Sequence, residues 1–421
     1  MLERLHLQGV GPSPELHFEL GSRLNILTGD NGVGKSFVLD VAWWALTRTW
    51  AGYPVTPRRS AEILPRIRFT YRSGEESLEE DYTFERPVQK WFTESGSLEK
   101  LGIVIYARAD GGFSIWDPAR NSSSESAVDV PPEAYHFDTG QVWDGLREGD
   151  KHLCNGLIAD WVAWQRERGP AFQQLASALE VLAPSEGEPL RPGKPMRVSL
   201  GDIRDIPTLE MPYGPVPIVH ASAGMRRIAA LAYLLVWTWQ EHQHASELLG
   251  REPTTEITFL IDEIEAHLHP RWQRVILPAL LKVVDTVTQT ESAQVQTLVA
   301  THAPLLLASI EPMFDEEVDR VFTFELEEQR VVVQEVPWAK QGDAVGWLVS
   351  STFGLKQARS REAERAIEAA EAFMRKETAS LPPGLGTWQE IQQELQRVLA
   401  GHDPFWPRWI VAGEREGALR S

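Results

Sequence analysis

Residues 29–36 read Gly29-Asp30-Asn31-Gly32-Val33-Gly34-Lys35-Ser36, which matches the pattern G-x-x-x-x-G-K-[ST] of a phosphate-binding loop. The residues before it, Arg23–Thr28, read as a short strand, and Phe37–Ala42 behind it opens a helix. Glycines let consecutive backbone N–H groups converge on phosphates at a helix N-terminus, where the helix dipole favours anions. Lys35 would add a positive charge, and Ser36 a hydroxyl ligand for Mg²⁺. Because a strand and a helix flank the loop, the pattern predicts a nucleoside triphosphate site rather than a chance glycine-rich turn.

The composition predicts a soluble protein with a large core. Of its 421 residues, 43% are hydrophobic and 24% are charged, and this length allows two or three domains. The one cysteine, Cys154, cannot form an internal disulfide and suits a reducing compartment. The N-terminus shows no signal-peptide pattern. The longest apolar stretch, Ile228–Trp239, is shorter than the roughly 18 residues of a membrane-spanning helix. We therefore expect a cytoplasmic protein that does not enter the membrane.

The net charge argues against one class of function. At −19 the chain is too acidic to coat DNA broadly, because such binding requires Lys and Arg to neutralise phosphates. Five arginines nevertheless cluster in the sequence: Arg58, Arg59, Arg66, Arg68 and Arg72. Five acids follow them: Glu75, Glu76, Glu79, Glu80 and Asp81. Both runs fit a solvated surface, and a local basic groove is the alternative.

Hydrophobic periodicity indicates four segments, of which the first and third are α/β in character. They are residues 1–150, a helical insert and linker at 151–200, residues 201–340, and a helical tail at 341–421. In the first segment, alternating apolar residues predict two antiparallel strands ahead of the loop strand. The Ser-rich stretch Asn121–Pro132 is predicted to be an exposed loop, and Pro184–Pro195 a linker.

A second motif ends a predicted buried strand. Thr258-Phe259-Leu260-Ile261 is a continuous apolar run, typical of a parallel strand, and Asp262 and Glu263 follow it. Ligands bind beyond the carboxyl ends of such strands. There Asp262 can hold Mg²⁺, and Glu263 can activate a water for attack on the γ-phosphate. Downstream of a phosphate-binding loop, this run is the expected Walker B motif.

A third motif lies at the start of a long predicted helix, Met225–His242. The stretch Ala221-Ser222-Ala223-Gly224 offers a serine hydroxyl and backbone N–H groups at the helix N-terminus, which could bind a second anion. The alternative is that Ser222 simply caps a structural helix. Helix chemistry alone leaves both interpretations open.

The order of these motifs resembles the head of ABC-type ATPases. Ser222-Ala223-Gly224-Met225-Arg226 is similar to the signature S-x-G-x-[RK], although Ala223 and Met225 depart from the commoner Gly and Gln/Glu. Glu265-Ala266-His267-Leu268-His269-Pro270 resembles the D-loop of RecF-like and OLD-like ATPases. Val299-Ala300-Thr301-His302-Ala303-Pro304 resembles the switch segment, which would place His302 near the γ-phosphate. The resemblance covers roughly residues 1–340.

This resemblance implies an α/β fold: an ABC-ATPase-like head, made of a P-loop sheet core and an antiparallel β lobe, with a helical insert and a helical C-terminal tail. Residues 1–150 and 201–340 would be the two halves of the head. It also implies ATP and Mg²⁺ as ligands, with Glu263 and His302 catalytic. The nucleotide would be held by residues of both motifs: Asp30, Asn31, Gly32, Val33, Gly34, Lys35, Ser36, Phe37, Ser222, Ala223, Gly224 and Arg226. The metal would be held by Ser36, Asp262 and Gln141.

The sequence leaves two interpretations open for several residues. Gln141 is the preferred glutamine for reaching Mg²⁺, and Gln89 is its rival. His267 and His269 could bind a metal, but no third ligand is obvious in the sequence, and a role of the D-loop at a subunit interface fits them better. The aromatic stretch His402–Trp409 in the tail is either a docking segment for a partner or a part that folds back on the core.

Within the ABC class, the chain resembles AAA15/AAA21-type ATPases of bacterial antiphage defence operons, including the ATPase subunit of Septu-like systems. The resemblance implies a head-to-tail homodimer bridged by ATP, which senses or regulates a separate effector such as a nuclease. SMC proteins differ, because a long coiled coil separates the halves of their head. The alternative is a RecF-like ATPase of DNA repair or replication that grips nucleic acid directly. Salt-dependent DNA binding by the isolated protein would favour this alternative.

Overall fold

The computed structural model describes residues 1–59, 63–74, 76–93, 102–121, 133–185, 187–290, 293–377 and 381–415. Glu75 and the predicted loop at 122–132 lie outside these residues. The chain forms two compact units, residues 1–344 and residues 345–421.

The bounds of the elements, in chain order, are as follows. The strands are β1 (Leu2–Gln8), β2 (Glu15–Glu19), β3 (Leu24–Gly29), β4 (Arg66–Ser73), β5 (Glu76–Glu85), β6 (Lys90–Phe92), β7 (Ile103–Ala107), β8 (Phe113–Trp116), β9 (Tyr135–Phe137), β10 (Leu146–Glu148), β11 (Lys151–Cys154), β12 (Arg191–Met196), β13 (Ile206–Met211), β14 (Gly214–Pro217), β15 (Glu256–Asp262), β16 (Gln294–Ala300), β17 (Asp319–Glu327) and β18 (Arg330–Glu335). The helices are α1 (Lys35–Thr47), α2 (Thr139–Asp144), α3 (Leu157–Glu167), α4 (Pro170–Val181), α5 (Ala223–Leu248), α6 (Pro270–Gln273), α7 (Ile276–Thr288), α8 (Pro304–Ile310), α9 (Ala344–Val349), α10 (Arg361–Met374), α11 (Trp388–Val398) and α12 (Trp406–Arg415).

The central sheet of the first unit has the order β18-β17-β3-β16-β15-β7-β8-β9 among the described residues. Strands β17, β3, β16, β15 and β7 are parallel neighbours, and the outer pairs are antiparallel. In register, Asp262 of β15 lies beside Ala300 of β16, which lies beside Leu27 of β3. The carboxyl ends of three strands that are far apart in sequence therefore meet at one edge. The α/β fold predicted from the sequence is confirmed.

A second sheet, β2-β1-β4-β5-β6, is antiparallel throughout and corresponds to the predicted β lobe. Helix α1 packs between the two sheets. The Trp43 ring lies 6.3 Å from Tyr106 of β7, and the Trp44 ring lies 4.8 Å from Tyr82 of β5. A helix that is apolar on all sides must be buried on all sides, and α1 begins directly at the P-loop. Its burial thus anchors the loop to both sheets.

Three arginines of the sequence cluster are paired across the β lobe. Arg66 and Arg68 of β4 contact Asp81 of β5 at 3.3 and 3.1 Å, and Arg72 contacts Glu3 of β1 at 2.6 Å. Opposite charges on neighbouring strands stabilise a sheet surface modestly. These contacts favour the solvated-surface interpretation over a basic groove.

The insert contains the predicted helices α3 and α4, but it is not helical to its end. The prediction of a linker at Pro184–Pro195 is wrong for its last residues, because Arg191–Met196 forms strand β12 of a small sheet ordered β12-β13-β14. Two prolines made this segment read as a linker. An edge strand tolerates them, because the N–H groups on its outer side need no partner strand.

Helix α5 carries the longest apolar stretch of the chain, and its residues 228–239 are buried in the protein core. Neighbouring helices α3, α4 and α7 cover it. Within the described ranges, no helix is both long enough and apolar enough to cross a membrane.

The second unit has its own core, made by one face each of α10, α11 and α12. The Trp388 and Trp409 rings stack with centroids 3.6 Å apart and planes within 3° of parallel. Phe405 and Trp409 are buried in this core, so these two members of the aromatic stretch fold back within the tail. Helix α11 opens with the predicted capping box of Thr387 and Glu390.

We expect Trp409→Ala to destabilise the second unit by about 3–5 kcal/mol, because it removes a fully buried ring and leaves a cavity beneath Trp388. Hydrogen exchange followed by mass spectrometry should show faster exchange in α10 and α11 and unchanged exchange in β3, β15 and β16. The matched control is Ile410→Ala in the same helix, whose side chain is 47% exposed. Equal protection of α10 and α11 in both variants would contradict the assignment of Trp409 to this core.

Candidate functional site

The P-loop needs glycine at two positions. Gly29 has φ 125° and Gly34 has φ 101°, both in the left-handed region that favours glycine. A Cβ on Gly29 would lie 2.1 Å from the Phe324 carbonyl oxygen, and one on Gly34 would lie 2.6 Å from Pro12 Cγ. The loop therefore fits closely between β17 and the turn after β1, with α1 starting at its end.

The Lys35 side chain is hydrogen-bonded to the backbone of the P-loop. Its Nζ donates to the carbonyl oxygens of Gly29 at 3.1 Å and Asp30 at 2.5 Å, and the residue is only 5% exposed. Burial lowers the pKa of Lys35 to about 8, and the nearby carboxylates of Asp262 and Glu263 oppose this shift. The remaining predicted loop residues divide by exposure. Exposed are Asp30, Asn31, Gly32 and Ser36, whereas Val33 is buried and Phe37 is half-buried.

Acidic side chains surround this lysine. Burial raises the pKa of Asp262, the neighbouring Glu263 and Glu265 raise it further, and a hydrogen bond with the Ser36 side chain opposes them. Burial also raises the pKa of Asp40, one helical turn after Ser36, which accepts a hydrogen bond from Tyr106 Oη at 3.0 Å. A carboxylate and a hydroxyl are hard oxygen ligands of the kind that Mg²⁺ prefers. The Asp262 and Ser36 pair therefore fits a magnesium ion.

Glu263 has an unusual backbone conformation. Its φ is 51°, a left-handed value that costs a non-glycine residue free energy. Its N–H donates to the Ala300 carbonyl at 3.0 Å, and its carboxylate lies 3.7 Å from His302 Nε2. Arg227 Nη2 donates to the carbonyl oxygens of Asp262 at 3.2 Å and Glu263 at 3.0 Å. These three hydrogen bonds hold the chain in the strained turn and aim Glu263 toward His302.

Arg227 is a residue that the sequence reasoning missed. Its neighbour Arg226 was selected because it matched the signature pattern, yet Arg226 is exposed and Arg227 is half-buried against the end of β15. Burial lowers the pKa of Arg227, while Glu265, Asp262 and Glu263 oppose this shift. The available signal was helical spacing, because Arg227 is one turn before the buried Leu231 of α5.

The signature-like residues lie at the start of α5. Ser222 caps this helix, because its Oγ accepts a hydrogen bond from the Met225 N–H at 3.3 Å. The cap that the sequence offered as an alternative is therefore present. Ser222, Ala223 and Arg226 are exposed. Gly224 is buried, and a Cβ there would lie 3.1 Å from the His267 carbonyl oxygen. The D-loop thus packs directly on the helix start.

Both candidate glutamines form hydrogen bonds with nearby backbone groups. Gln141 Oε1 accepts from the Asp138 N–H at 2.8 Å in the capping box of α2, and Gln89 Nε2 donates to the Arg86 carbonyl at 2.6 Å. His269 caps α6 and accepts from the Arg271 N–H at 3.2 Å. Among the described residues, no group of three or more His, Cys, Asp or Glu side chains could hold a metal ion together. The assignment of Gln141 to the metal stays a prediction.

Similarity to known proteins extends over different shares of the chain. The family model described as "AAA domain, putative AbiEii toxin, Type IV TA system" matches residues 24–308. The Septu protein PtuA of Bacillus mycoides (strain KBAB4) is 35% identical over 96 residues, which cover 23% of this chain and only 12% of that protein.

The chain is also similar to solved structures, two of which are the following. The SMC head domain from Thermotoga maritima has a TM-score of 0.39 and 13% identity, covering 80% of this chain and 99% of that one. The recombination mediator protein RecF with ATP has a TM-score of 0.38 and 11% identity, covering 80% of this chain and 99% of that one. The family model spans the P-loop, the signature-like helix start, the strand ending in Asp262 and the switch segment in one match. The chain therefore belongs to the AAA_21 family of P-loop ATPases.

Proposed function

We propose that the chain binds and hydrolyses ATP with Mg²⁺. The observation that carries this proposal is the meeting of three loops at one edge of the central sheet: the P-loop after β3, Asp262 and Glu263 at the end of β15, and His302 after β16. Phosphoryl transfer needs positioning and charge stabilisation more than covalent chemistry. This edge offers both, through a lysine, backbone N–H groups and carboxylates.

Each residue has one role in this proposal. Lys35 leaves its carbonyl partners to contact the β- and γ-phosphates. Ser36 and Asp262 hold Mg²⁺, which when bound neutralises charge on the phosphates. Glu263 accepts the proton of the attacking water, and His302, 3.7 Å from the Glu263 carboxylate, contacts the γ-phosphate from the neighbouring strand. The strained turn at Glu263 supports this role, because strained backbone concentrates at functional sites.

We further propose a head-to-tail homodimer that closes on ATP. Ser222, Ala223 and Arg226 are exposed, and within the described residues the Ser222 hydroxyl is hydrogen-bonded to the start of its own helix rather than to the P-loop. In a dimer, these residues and Gly224 would complete the nucleotide site of the partner. The helix N-terminus they surround favours an anion.

The biological role we propose is to sense or regulate a separate effector, such as a nuclease, in antiphage defence. The 35% identity to a Septu protein over 96 residues supports this role. A RecF-like grip on DNA is the alternative, and the pairing of Arg66, Arg68 and Arg72 with carboxylates weighs against it. Those side chains would have to give up their partners before they could contact phosphates.

Lys35→Ala should weaken ATP binding about 10- to 100-fold, since it removes a charge-assisted hydrogen bond worth about 1.5–3 kcal/mol. Isothermal titration calorimetry measures the change directly. Lys282→Ala, on the exposed surface of α7, is the matched control and should bind as the wild type does. Wild-type affinity in the Lys35→Ala variant would remove the basis of the nucleotide site.

Glu263→Gln should bind ATP and yet lose turnover, by about 10²-fold or more, because the amide keeps the shape of the side chain but cannot accept the proton. Steady-state phosphate release and calorimetry together separate the two effects. Glu325→Gln changes an exposed carboxylate of the same sheet and serves as the control. Unchanged hydrolysis in Glu263→Gln would mean that another residue activates the water.

The dimer predicts complementation between two inactive variants. Lys35→Ala spoils the P-loop and Ser222→Arg blocks the signature, so each variant alone should be inactive. A mixture contains heterodimers with one intact composite site, and part of the activity should return. Loss of the Ser222 cap costs about 1 kcal/mol, which thermal melts would register without loss of the fold. Normal hydrolysis by Ser222→Arg alone would leave Ser222 as a helix cap only.

A further inference from the structure

One carboxylate near the site has a geometry that the proposed mechanism does not use. Glu265 Oε1 accepts two hydrogen bonds from the switch segment, one from Thr301 Oγ1 at 2.7 Å and one from the His302 backbone N–H at 2.8 Å. Hydrogen bonds to an ionised acceptor are stronger than neutral ones. This pair ties the turn after β15 to the turn after β16, directly beside His302.

The switch segment is held from both sides of this contact. Thr301 is fully buried, its N–H donates to the Leu27 carbonyl at 3.0 Å, and its Oγ1 accepts from the Ala303 N–H at 3.0 Å. Glu265 supplies the remaining hydrogen bonds, to the Thr301 hydroxyl and to the backbone of His302. The side chain of Glu265, which comes from the turn after β15, therefore helps to fix the backbone of His302.

The other end of this contact leads to the signature-like helix start. Glu265 lies in a tight turn in which the Ala266 N–H donates to the Glu263 carbonyl at 3.0 Å and the Leu268 N–H donates to the Glu265 carbonyl at 2.9 Å. The next residues, His267 and Leu268, pack against Gly224 of α5. The turn is thus in contact with both the proposed dimer surface and the switch segment.

We propose that Glu265 is a positioning residue, which fixes His302 beside Glu263 through the backbone of the switch segment. This inference rests on the proposed function, because it assigns the site a hydrolytic role for His302. In this role Glu265 acts as a hydrogen-bond acceptor and needs no contact with a phosphate or a metal. Its second oxygen, Oε2, is buried without a hydrogen-bond partner among the described residues, and Arg227 and Lys35 are nearby cations that attract this carboxylate.

The first arm of the test uses nucleotide-free protein and needs no activity. Hydrogen exchange by mass spectrometry of the peptide that spans 295–303 should show faster exchange of the His302 and Ala303 amides in Glu265→Ala. Glu265→Gln keeps an acceptor oxygen and should exchange as the wild type does. Glu325→Gln, an exposed carboxylate of β17, is the control and should also leave this peptide unchanged. Wild-type exchange in Glu265→Ala would overturn the proposal.

The second arm separates positioning from direct catalysis. Glu265→Ala should lower kcat about 10- to 100-fold, the cost of a small misplacement of a catalytic group, with ATP affinity within about threefold of wild type. Glu265→Gln should restore most of kcat. Because Glu265 acts through His302, the double variant Glu265→Ala/His302→Ala should be no slower than His302→Ala alone. Additive losses, or a Gln variant as slow as the Ala variant, would overturn the proposal.

Thr301→Val keeps the inference testable if Glu265→Ala folds poorly. It removes one of the two donors, preserves the side-chain shape, and should lower kcat in the same direction by a smaller factor; unchanged kcat together with unchanged exchange would overturn the proposal. If the wild type hydrolyses no ATP at all, the proposed function fails, whereas the exchange arm still decides whether Glu265 holds the switch segment.

Discussion

The parallel pairing of β3, β16 and β15 is the constraint on which the site depends. Leu27, Ala300 and Asp262 are aligned in register across these strands, although more than 230 positions separate Leu27 from Asp262 in the sequence. Each strand is buried on both faces and ends in a loop that carries one part of the chemistry. A slip of the register would move Glu263 away from His302 and the P-loop together. The site is thus a property of strand order, and α1, packed between two sheets, keeps that order rigid.

Electrostatics gives the edge of the sheet its ligand preference. Asp40, Asp262, Glu263 and Glu265 lie close to Lys35 and Arg227, and Arg108 also acts on Asp40. Arg227 is occupied with the carbonyl oxygens of the strained turn, so its charge is fixed in place. Burial raises the pKa of Asp262, and the neighbouring carboxylates of Glu263 and Glu265 raise it further. The same carboxylates would stabilise a divalent cation that arrived with a nucleotide. The negative field of these carboxylates would repel a free phosphate. A nucleotide that carries Mg²⁺ would be repelled less, because the cation attracts the carboxylates.

Contiguous motifs were predictable from the sequence, and contacts between distant side chains were not. The P-loop and the strand ending in Asp262 and Glu263 carry their information within a few residues, so their elements were predicted to within one or two positions. The hydrogen bonds of Glu265 and Arg227 depend on which strands are neighbours, which no local pattern states. Strand β12 was missed because its prolines resemble a linker, and the buried Trp409 was ambiguous because an aromatic residue suits a core and a docking surface equally.

The turn from Glu263 to Leu268 links this edge of the central sheet to the exposed start of α5. A Cβ on Gly224 would lie only 3.1 Å from the His267 carbonyl oxygen, and Glu265 in the same turn accepts a hydrogen bond from the backbone of His302. A movement of the N-terminus of α5 would therefore either shift this turn or break the packing between Gly224 and His267. Close-packed elements transmit such shifts because they have few intermediate arrangements. The path from the exposed start of α5 to His302 therefore runs through Gly224, the turn that carries His267, and Glu265.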